Sequence, residues 1–117
     1  MSDTIVINIK RKHPDLNEWR RNGRYVYIGR PSVYGNPFSH YGYLSNVIIV
    51  PTQAAAVEAY RQWVRGEKWQ HVEPTRRKTL LKLLVNLRGK VLGCYCKPGP
   101  CHGDVLLELL EEVSKST

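Results

Sequence analysis

Short strand-like segments that alternate with longer helical ones constrain the fold of this chain more than any other feature. Residues 4–10 read TIVINIK and residues 25–28 read YVYI, and both runs have the β-branched composition and twofold alternation of strands. Residues 90–96 read KVLGCYC and predict another strand, and VIIV at residues 47–50 predicts a shorter one. Strands that are joined through helices pair in parallel, so a small, mainly parallel sheet is expected.

Helical signals fill the spaces between these strands. Thr52 is a suitable N-cap for a helix over residues 53–65, and Glu73-Pro74 opens a second helix over residues 73–88. Leucines surround this second helix, so it is expected to be buried on most sides. A last helix over residues 102–113 carries a regular apolar stripe, and residues 15–19 predict one helical turn. This order predicts a single α/β domain over residues 1–117, with helices packed on the sheet.

Composition excludes several classes of protein. The chain has 117 residues, the size of one domain, and its 42% hydrophobic and 24% charged residues are typical of a globular protein rather than a disordered one. No apolar run approaches the roughly 18 residues of a membrane span, and the first residues lack a secretory signal. Three clustered cysteines make a poor disulfide framework. We therefore expect a protein of the reducing cytoplasm, without membrane contact.

The charge of the chain is strongly basic. The net charge is +8, although four of the ten acidic residues lie in residues 104–117. Such a charge favours phosphate-rich partners through long-range attraction and counterion release. It does not choose between a phosphate-bearing small molecule, weak nucleic-acid binding and a basic protein with no polyanionic partner.

The first candidate site follows the second predicted strand and reads GRPSVYGNPF over residues 29–38. In open α/β sheets, ligands bind at the carboxyl ends of the strands, where this segment begins. Arginine offers a planar donor fork to phosphate, and the asparagine before proline is expected to be extended and to present its amide outward. The residues predicted to bind the ligand are Gly29, Arg30, Pro31, Ser32, Gly35 and Asn36. The alternative is a structural loop in which Asn36 caps a turn while Tyr34 and Phe38 pack over the core.

The second candidate site joins the last strand to the last helix and contains Cys101, His102, Gly103 and Asp104. The amides and the dipole of a helix N-terminus attract anions and favour a thiolate. The predicted catalytic residues are Cys101, His102 and Asn36. Gly103 and Asp104 are predicted to bind the ligand, and the alternative for Asp104 is a helix cap. The preceding PGP turn is expected to hold Cys101 at the surface as the most reactive thiol.

Zinc is an alternative for the same segment, although the primary expectation is a protein without a metal. The zinc ligands would be Cys94, Cys96, Cys101 and His102. Their spacing, C-x-C-x4-C-H, does not match the separated ligand pairs that are typical of zinc sites. Adjacent Cys101 and His102 would also need a tight bend to bind one ion. Without zinc, Cys94 is expected to be a small buried core residue.

The segments VYIGRPSVYGNPF, LRGKVLGCYC and CHGDVLLELL resemble the family described as domain of unknown function 4326, over about residues 24–112. The family is marked by a GNPF motif near the start and a C-x-C…P…CHGDVL motif near the end. The resemblance implies that its motif positions are occupied here by Gly29, Arg30, Pro31, Gly35, Asn36, Pro37, Phe38, Leu87, Gly89, Cys94, Cys96, Cys101, His102, Gly103 and Asp104. The match departs at residues 52–54, where the family often has an acidic residue or an arginine. A phage, archaeal-virus or prokaryotic setting is implied, and hence the host cytoplasm if the protein is viral.

Three functions are compatible with these features. The first is the binding of a nucleotide-like or phosphate-bearing small molecule between the GRP…GNPF loop and the CHGD helix start, with the question of catalysis left open. The second is non-catalytic binding of nucleic acid by a basic protein, with or without zinc. The third is a structural or virus–host interaction role. The first requires Arg30 or Asn36 to lie within one small-ligand length of Cys101 or His102, around a concave surface.

Overall fold

A computed structural model describes residues 4–42, 44, 47–95 and 99–116 of the protein. The order of the strands and helices follows the predicted alternation. The elements are β1 (Ile5–Asn8), α1 (Leu16–Arg21), β2 (Tyr25–Tyr27), β3 (Phe38–Ser39), β4 (Ile48–Ile49), α2 (Gln53–Val64), α3 (Pro74–Leu83), a 3-10 helix (Leu84–Leu87), β5 (Val91–Cys94) and α4 (His102–Ser116). Within the described ranges, no helix is long and apolar enough to cross a membrane.

The central strand of the main sheet is β5. It pairs in parallel with β1 on one side and with β2 on the other, so Gly93 stands level with both Ile7 and Tyr27. All four residues of β5 are buried, as expected for a parallel strand that is covered on both faces. β3 and β4 form a separate parallel pair. The prediction of an α/β fold with a small, mainly parallel sheet is confirmed.

The helices and the sheet share one hydrophobic core. Its largest fully buried side chains include Trp63 and Tyr60 of α2, Phe38 of β3, and Leu106 and Leu110 of α4. Burial of this apolar surface stabilises the fold by about 25 cal/mol per Å². The polar tips of the two buried α2 aromatics keep partners, because the Trp63 indole donates to the Val72 carbonyl and the Tyr60 hydroxyl donates to the Tyr34 carbonyl, both at 2.7 Å.

The predicted cap of α2 and the predicted glycine stops are confirmed, whereas α4 continues to Ser116, beyond its predicted end at residue 113. Thr52 Oγ1 accepts a hydrogen bond from the Ala55 amide at 3.0 Å and caps α2. Gly66 and Gly89 follow α2 and the 3-10 helix with φ values of +74° and +73°, which glycine adopts without steric cost. The helical turn predicted at residues 15–19 is present as α1.

Three details of the predicted elements are wrong. The strands end a residue or two early, because the chain turns directly after them through the bonds from the Arg11 amide to the Asn8 carbonyl and from the Ser32 amide to the Gly29 carbonyl. The helix expected over residues 73–88 tightens into a 3-10 helix, and its leucines do not all reach the core, since Leu81 is exposed. β3 lies in a stretch that was predicted to be a loop. Its two residues are too few to show the alternation by which a strand is predicted. Cys96, predicted at the end of the last strand, lies outside the described residues.

Acidic residues of α4 pair with arginines of α2. Arg61 donates to Glu108 at 2.9 Å and also pairs with Glu58, while Arg65 pairs with Glu112 and Glu108. The hydrogen bond from Arg61 is the main cause that holds the pKa of Glu108 below its usual range. Exposed pairs of this kind stabilise a fold by only about 0–1 kcal/mol each. Their larger consequence is that the charges of Glu108 and Glu112 are balanced on the α2–α4 face.

The packing around β5 predicts the effect of a single methyl group. We expect Gly93→Ala to destabilise the fold by about 1–3 kcal/mol, because the added Cβ would stand 2.5 Å from the Tyr25 hydroxyl and 2.6 Å from Ile9 Cγ2. Urea unfolding followed by circular dichroism measures the change. Gly42→Ala is the matched control, since among the described residues no atom outside its chain neighbours lies within 4 Å of its Cβ position. Equal unfolding midpoints for the two variants would contradict this account of the central strand.

Candidate functional site

The carboxyl ends of β1, β2 and β5 meet at one edge of the sheet, as their parallel pairing requires. A cavity of about 430 Å³ opens at this edge, within the usual size range of small-ligand sites. Its walls come from residues that end or follow these strands, from the loop before and after β3, and from the starts of α2 and α4. This is the place where open parallel sheets bind ligands.

The two candidate segments of the sequence meet around this cavity. Of the residues predicted to be catalytic or to bind the ligand, four line it: Gly29, Arg30, Asn36 and His102. The others do not line it: Pro31, Ser32, Gly35, Cys101, Gly103 and Asp104. The proximity that the ligand-binding hypothesis requires is therefore present between the first segment and His102.

The guanidinium of Arg30 is held in place by the loop that it precedes. Its Nη1 donates to the Asn36 carbonyl at 2.7 Å and reaches the Phe38 carbonyl at 3.5 Å. No hydrogen bond or ion pair joins its Nε and Nη2 to another residue in the described part of the chain, and the residue is exposed. The Nε and Nη2 groups form a planar pair of donors of the kind that binds a phosphate or a carboxylate through two hydrogen bonds.

The side chain of Asn36 is used by the protein itself. Its Nδ2 donates to the Ala56 carbonyl at 3.1 Å, and its Oδ1 accepts from the Phe38 amide at 2.9 Å. The expectation that its amide is presented outward is wrong, because the residue is buried, α2 accepts from Nδ2 and the turn before β3 donates to Oδ1. The loop therefore has the structure of the alternative, with Asn36 capping a turn and Tyr34 and Phe38 in the core.

Close packing within the protein explains the glycines of the two segments. A Cβ at Gly29 would collide with the Tyr27 hydroxyl, and one at Gly103 would stand 2.9 Å from Val6 Cγ1 and 3.0 Å from Ile28 Cδ1. Gly103 thus allows the start of α4 to lie directly on the sheet. The neighbouring loop residue Ser32 has a buried hydroxyl with no hydrogen-bond partner in the described part of the chain, and it lies outside the cavity wall.

Cys101 is buried, which contradicts the expectation that the preceding turn holds it at the surface. It exposes no surface, because the start of α4 packs into the core, and its Sγ lies 3.1 Å from the equally buried Sγ of Cys94. The Cys101 Sγ accepts a hydrogen bond from the Gly103 amide at 3.3 Å. Cys101 therefore precedes α4 as its capping residue, and Asp104, the alternative cap, lies within the first helical turn. The expected burial of Cys94 is confirmed.

The structure brings together two of the four predicted zinc ligands. Cys94 and Cys101 are adjacent, but the Nε2 of His102 points to the Ile28 carbonyl. Among the described residues, no group of three or more histidine, cysteine or acidic side chains could hold a metal ion. Cys96, the remaining ligand of the zinc alternative, lies outside the described residues.

The imidazole of His102 lies in the cavity wall, and a hydrogen bond sets its orientation. A carbonyl can only accept, so the 2.7 Å contact with the Ile28 carbonyl places a proton on Nε2. Its ring meets Tyr60 edge to face, with centroids 5.2 Å apart. Burial lowers the pKa of His102 below its usual range, against the smaller opposite effect of the Ile28 carbonyl.

Several cavity residues were not among the predicted site residues. Tyr27 and Tyr95 meet edge to face at 6.1 Å, the Lys10 ammonium lies 5.5 Å from the Tyr95 ring centre, and His40 stacks on Tyr41 at 4.1 Å. Burial is the main cause that raises the pKa of Tyr27. The signal that could have found Lys10, Tyr27 and Tyr95 is their position, since each ends or closely follows a strand of the parallel sheet.

The electrostatic character of the cavity is positive. Lys10 and Arg30 are its cationic side chains, and none of the described residues that line it is Asp or Glu. The first residues of α2 and α4, Gln53 and His102, also belong to the wall, and the Gln53 amide donates to the Pro100 carbonyl beside the second helix start. Two helix N-termini therefore add partial positive charge at the same edge. An anionic group is the ligand that this arrangement favours.

Comparison with known proteins gives a family and one short similarity. The family model of "Domain of unknown function (DUF4326)" matches residues 7–112. The "Uncharacterized 12.4 kDa protein in nrdA-td intergenic region" of Enterobacteria phage T4 is 52% identical over 29 residues, which cover 25% of this chain and 27% of that protein. No solved structure matches the chain significantly.

The burial of His102 predicts how stability depends on pH. Because the folded pKa is lowered, the unfolded chain, with a histidine pKa of about 6.5, binds the proton first as the pH falls. The contribution of His102 to the free energy of unfolding is therefore fully present above about pH 6.5. It is lost toward pH 5, by up to about 1.4 kcal/mol per pH unit. The lowered pKa values of Glu73 and Glu108 act below pH 4.5, outside this window.

Urea unfolding at pH 7.5, 6.5 and 5.5 measures this slope. His102→Gln should remove it, and His71→Gln, which changes an exposed histidine, should keep it. A direct NMR titration of the His102 imidazole covers the case in which the first variant does not fold. An ordinary histidine pKa in that titration would show that the assigned burial is wrong.

The buried sulfurs predict a labelling pattern. We expect Cys94 and Cys101 to resist iodoacetamide in the native protein at neutral pH, because neither exposes any surface, and to react once urea unfolds the chain. Peptide mapping by mass spectrometry reads each thiol separately. Native labelling of Cys101 ahead of Cys94 would contradict the burial, and protection that a chelator removes would indicate zinc.

Proposed function

We propose that this protein, which belongs to the family described as Domain of unknown function (DUF4326), binds a nucleotide-like, phosphate-bearing ligand in the cavity at the carboxyl edge of its sheet. The family description assigns no activity, so the proposal rests on the cavity itself. The similarity to a phage protein supports a setting in the cytoplasm of an infected cell.

The observation that carries the proposal is the fixed guanidinium of Arg30. Two backbone carbonyls orient its Nη1, while the Nε and Nη2 edge has no partner among the described residues. An arginine that is already ordered loses less conformational entropy when it binds an anion, so its two remaining hydrogen bonds contribute more to affinity. A phosphate would take this position.

The rest of the cavity matches the remaining parts of a nucleotide. Lys10 and the starts of α2 and α4 add positive charge without a carboxylate in the described wall, which suits a further phosphate oxygen. The rings of Tyr27, Tyr95 and Tyr41 offer flat apolar surface to a base, and Ser39 and Gln53 bring polar groups. The volume of about 430 Å³ is that of a small-molecule site.

The geometry favours binding over the predicted cysteine chemistry. Cys101 lies outside the cavity wall, and both ends of the Asn36 amide are bonded to the backbone. Of the predicted catalytic residues, His102 keeps a place from which it can contact a ligand.

Calorimetric titration with the four common 5′-nucleoside monophosphates, the matching nucleosides and inorganic phosphate tests the proposal. At least one nucleotide should bind, and its nucleoside should bind about tenfold more weakly or worse, because the phosphate contacts are lost. Arg30→Lys keeps the charge but removes the donor pair, and we expect it to weaken nucleotide binding by about 10- to 100-fold.

Lys82→Gln is the matched control, since Lys82 is exposed on α3 and does not line the cavity. Thermal unfolding of each variant separates a lost contact from a lost fold. Equal affinity for nucleotide and nucleoside, or an unchanged affinity in Arg30→Lys, would show that Arg30 does not hold a phosphate.

A further inference from the structure

We infer that the nucleotide taken by the cavity is part of a single-stranded nucleic acid rather than a free small molecule. The inference rests on the proposed function, and it adds that the strand continues across the rim of the cavity. Two features of the rim carry it: a run of unpaired cations and two exposed aromatic rings.

The cations are Lys10, Arg11 and Lys12, which follow Ile9, the first residue after β1. Lys10 lines the cavity, and Arg11 and Lys12 follow it in the chain, in a turn that the bond from the Arg11 amide to the Asn8 carbonyl closes. All three are exposed, and no side-chain hydrogen bond or ion pair joins them to the described residues. A free nucleotide held by Arg30 and Lys10 would leave Arg11 and Lys12 unused, whereas neighbouring phosphates of a strand would meet them.

The exposed rings are those of Tyr41 and Tyr95. Both belong to the cavity wall, yet their exposed fractions are 46% and 53%. A site for a free nucleotide encloses its ligand, so rings in such a wall are covered. Rings that face both the cavity and the solvent suit the bases on either side of the bound nucleotide, because base stacking on aromatic side chains is the usual contact with single strands.

The opposite edge of the sheet shows why the cavity, and not basic charge alone, carries the inference. A shallow cleft there contains Arg24, Arg88 and Lys90, and again no acidic residue lies in its described lining. The lining residues that the structure describes offer no aromatic ring to a base. That cleft could attract phosphates but could not hold a nucleotide, so it provides a matched control of equal charge.

The first measurement compares a mononucleotide with single strands that contain it, using thymidine 5′-monophosphate and dT10, and adenosine 5′-monophosphate and rA10. Fluorescence anisotropy and competition at several salt concentrations give the affinities. At low salt we expect the decamer to bind at least about tenfold more tightly than the monomer. With three to four phosphates contacted, the slope of log K against log salt should be about −2 to −3.

Two double variants then locate the strand. Arg11→Gln with Lys12→Gln should weaken decamer binding about tenfold, reduce the salt slope by about 1.4, and leave mononucleotide binding unchanged. Arg88→Gln with Lys90→Gln removes the same charge at the other edge and should change decamer binding less than threefold. Arg30→Gln should weaken both ligands, because the same donor pair holds the phosphate in each.

The outcomes separate this inference from the proposed function. Equal affinity for decamer and mononucleotide overturns the inference and leaves the proposed function standing. Failure of both ligands to bind overturns both. Decamer binding that is lost in the Arg88 and Lys90 variant but kept in the Arg11 and Lys12 variant places the strand at the opposite edge and overturns the inference. Tighter binding of a duplex than of either single strand also overturns the inference.

Discussion

The pairing of β5 with two parallel neighbours is the interaction on which the rest of the structure depends. Parallel pairing on both sides aligns β1, β5 and β2, so their carboxyl ends lie at one edge although they come from distant parts of the chain. Side chains that end or follow each strand, such as Lys10, Tyr27 and Tyr95, are thereby brought to the same place. Gly93 makes this alignment possible, since Tyr25 and Ile9 fill the space that a side chain there would occupy. The cavity is a consequence of the sheet rather than of any single loop.

A second constraint ties α4 to that edge. The His102 imidazole donates to the Ile28 carbonyl, 74 residues away in sequence, directly before the GRP loop begins. A buried imidazole without this partner would leave a polar group unsatisfied, at a cost of about 1–3 kcal/mol. The bond therefore fixes the distance between the start of α4 and the backbone that leads to Arg30. The two motifs lie next to each other because one supplies the hydrogen-bond donor and the other supplies the acceptor.

The sequence predicts what is local and fails where tertiary packing decides. Thr52, Gly66 and the strand patterns were sufficient to predict the elements, because capping, positive φ and alternation act within a few residues. The rule that ligands bind at strand ends correctly directs attention to the edge where Arg30 and His102 meet. The direction in which a side chain points cannot be predicted in the same way. Asn36 turns inward and Cys101 is buried because α2 and the sheet pack against them. The local sequence does not predict such tertiary packing. Lys10 and Tyr95 were missed because single residues beside a strand have no motif.

The distribution of ion pairs shows that, among the described residues, part of the net charge of +8 stays unpaired at the carboxyl edge of the sheet. The described salt bridges join Arg61 and Arg65 to glutamates of α2 and α4, and Arg76 to Glu73, and none includes Lys10, Arg11, Lys12 or Arg30. A close pair of opposite charges cancels at distances beyond its own size, whereas an unpaired charge acts over the Debye length of about 8 Å at physiological salt. The paired charges on the α2–α4 face therefore largely cancel. The cations at the carboxyl edge of the sheet have no ion-pair partner among the described residues. Glu108 and Glu112 of the C-terminal helix act on their arginine partners, and an approaching polyanion meets the positive charge of Lys10 and Arg30 where the cavity opens.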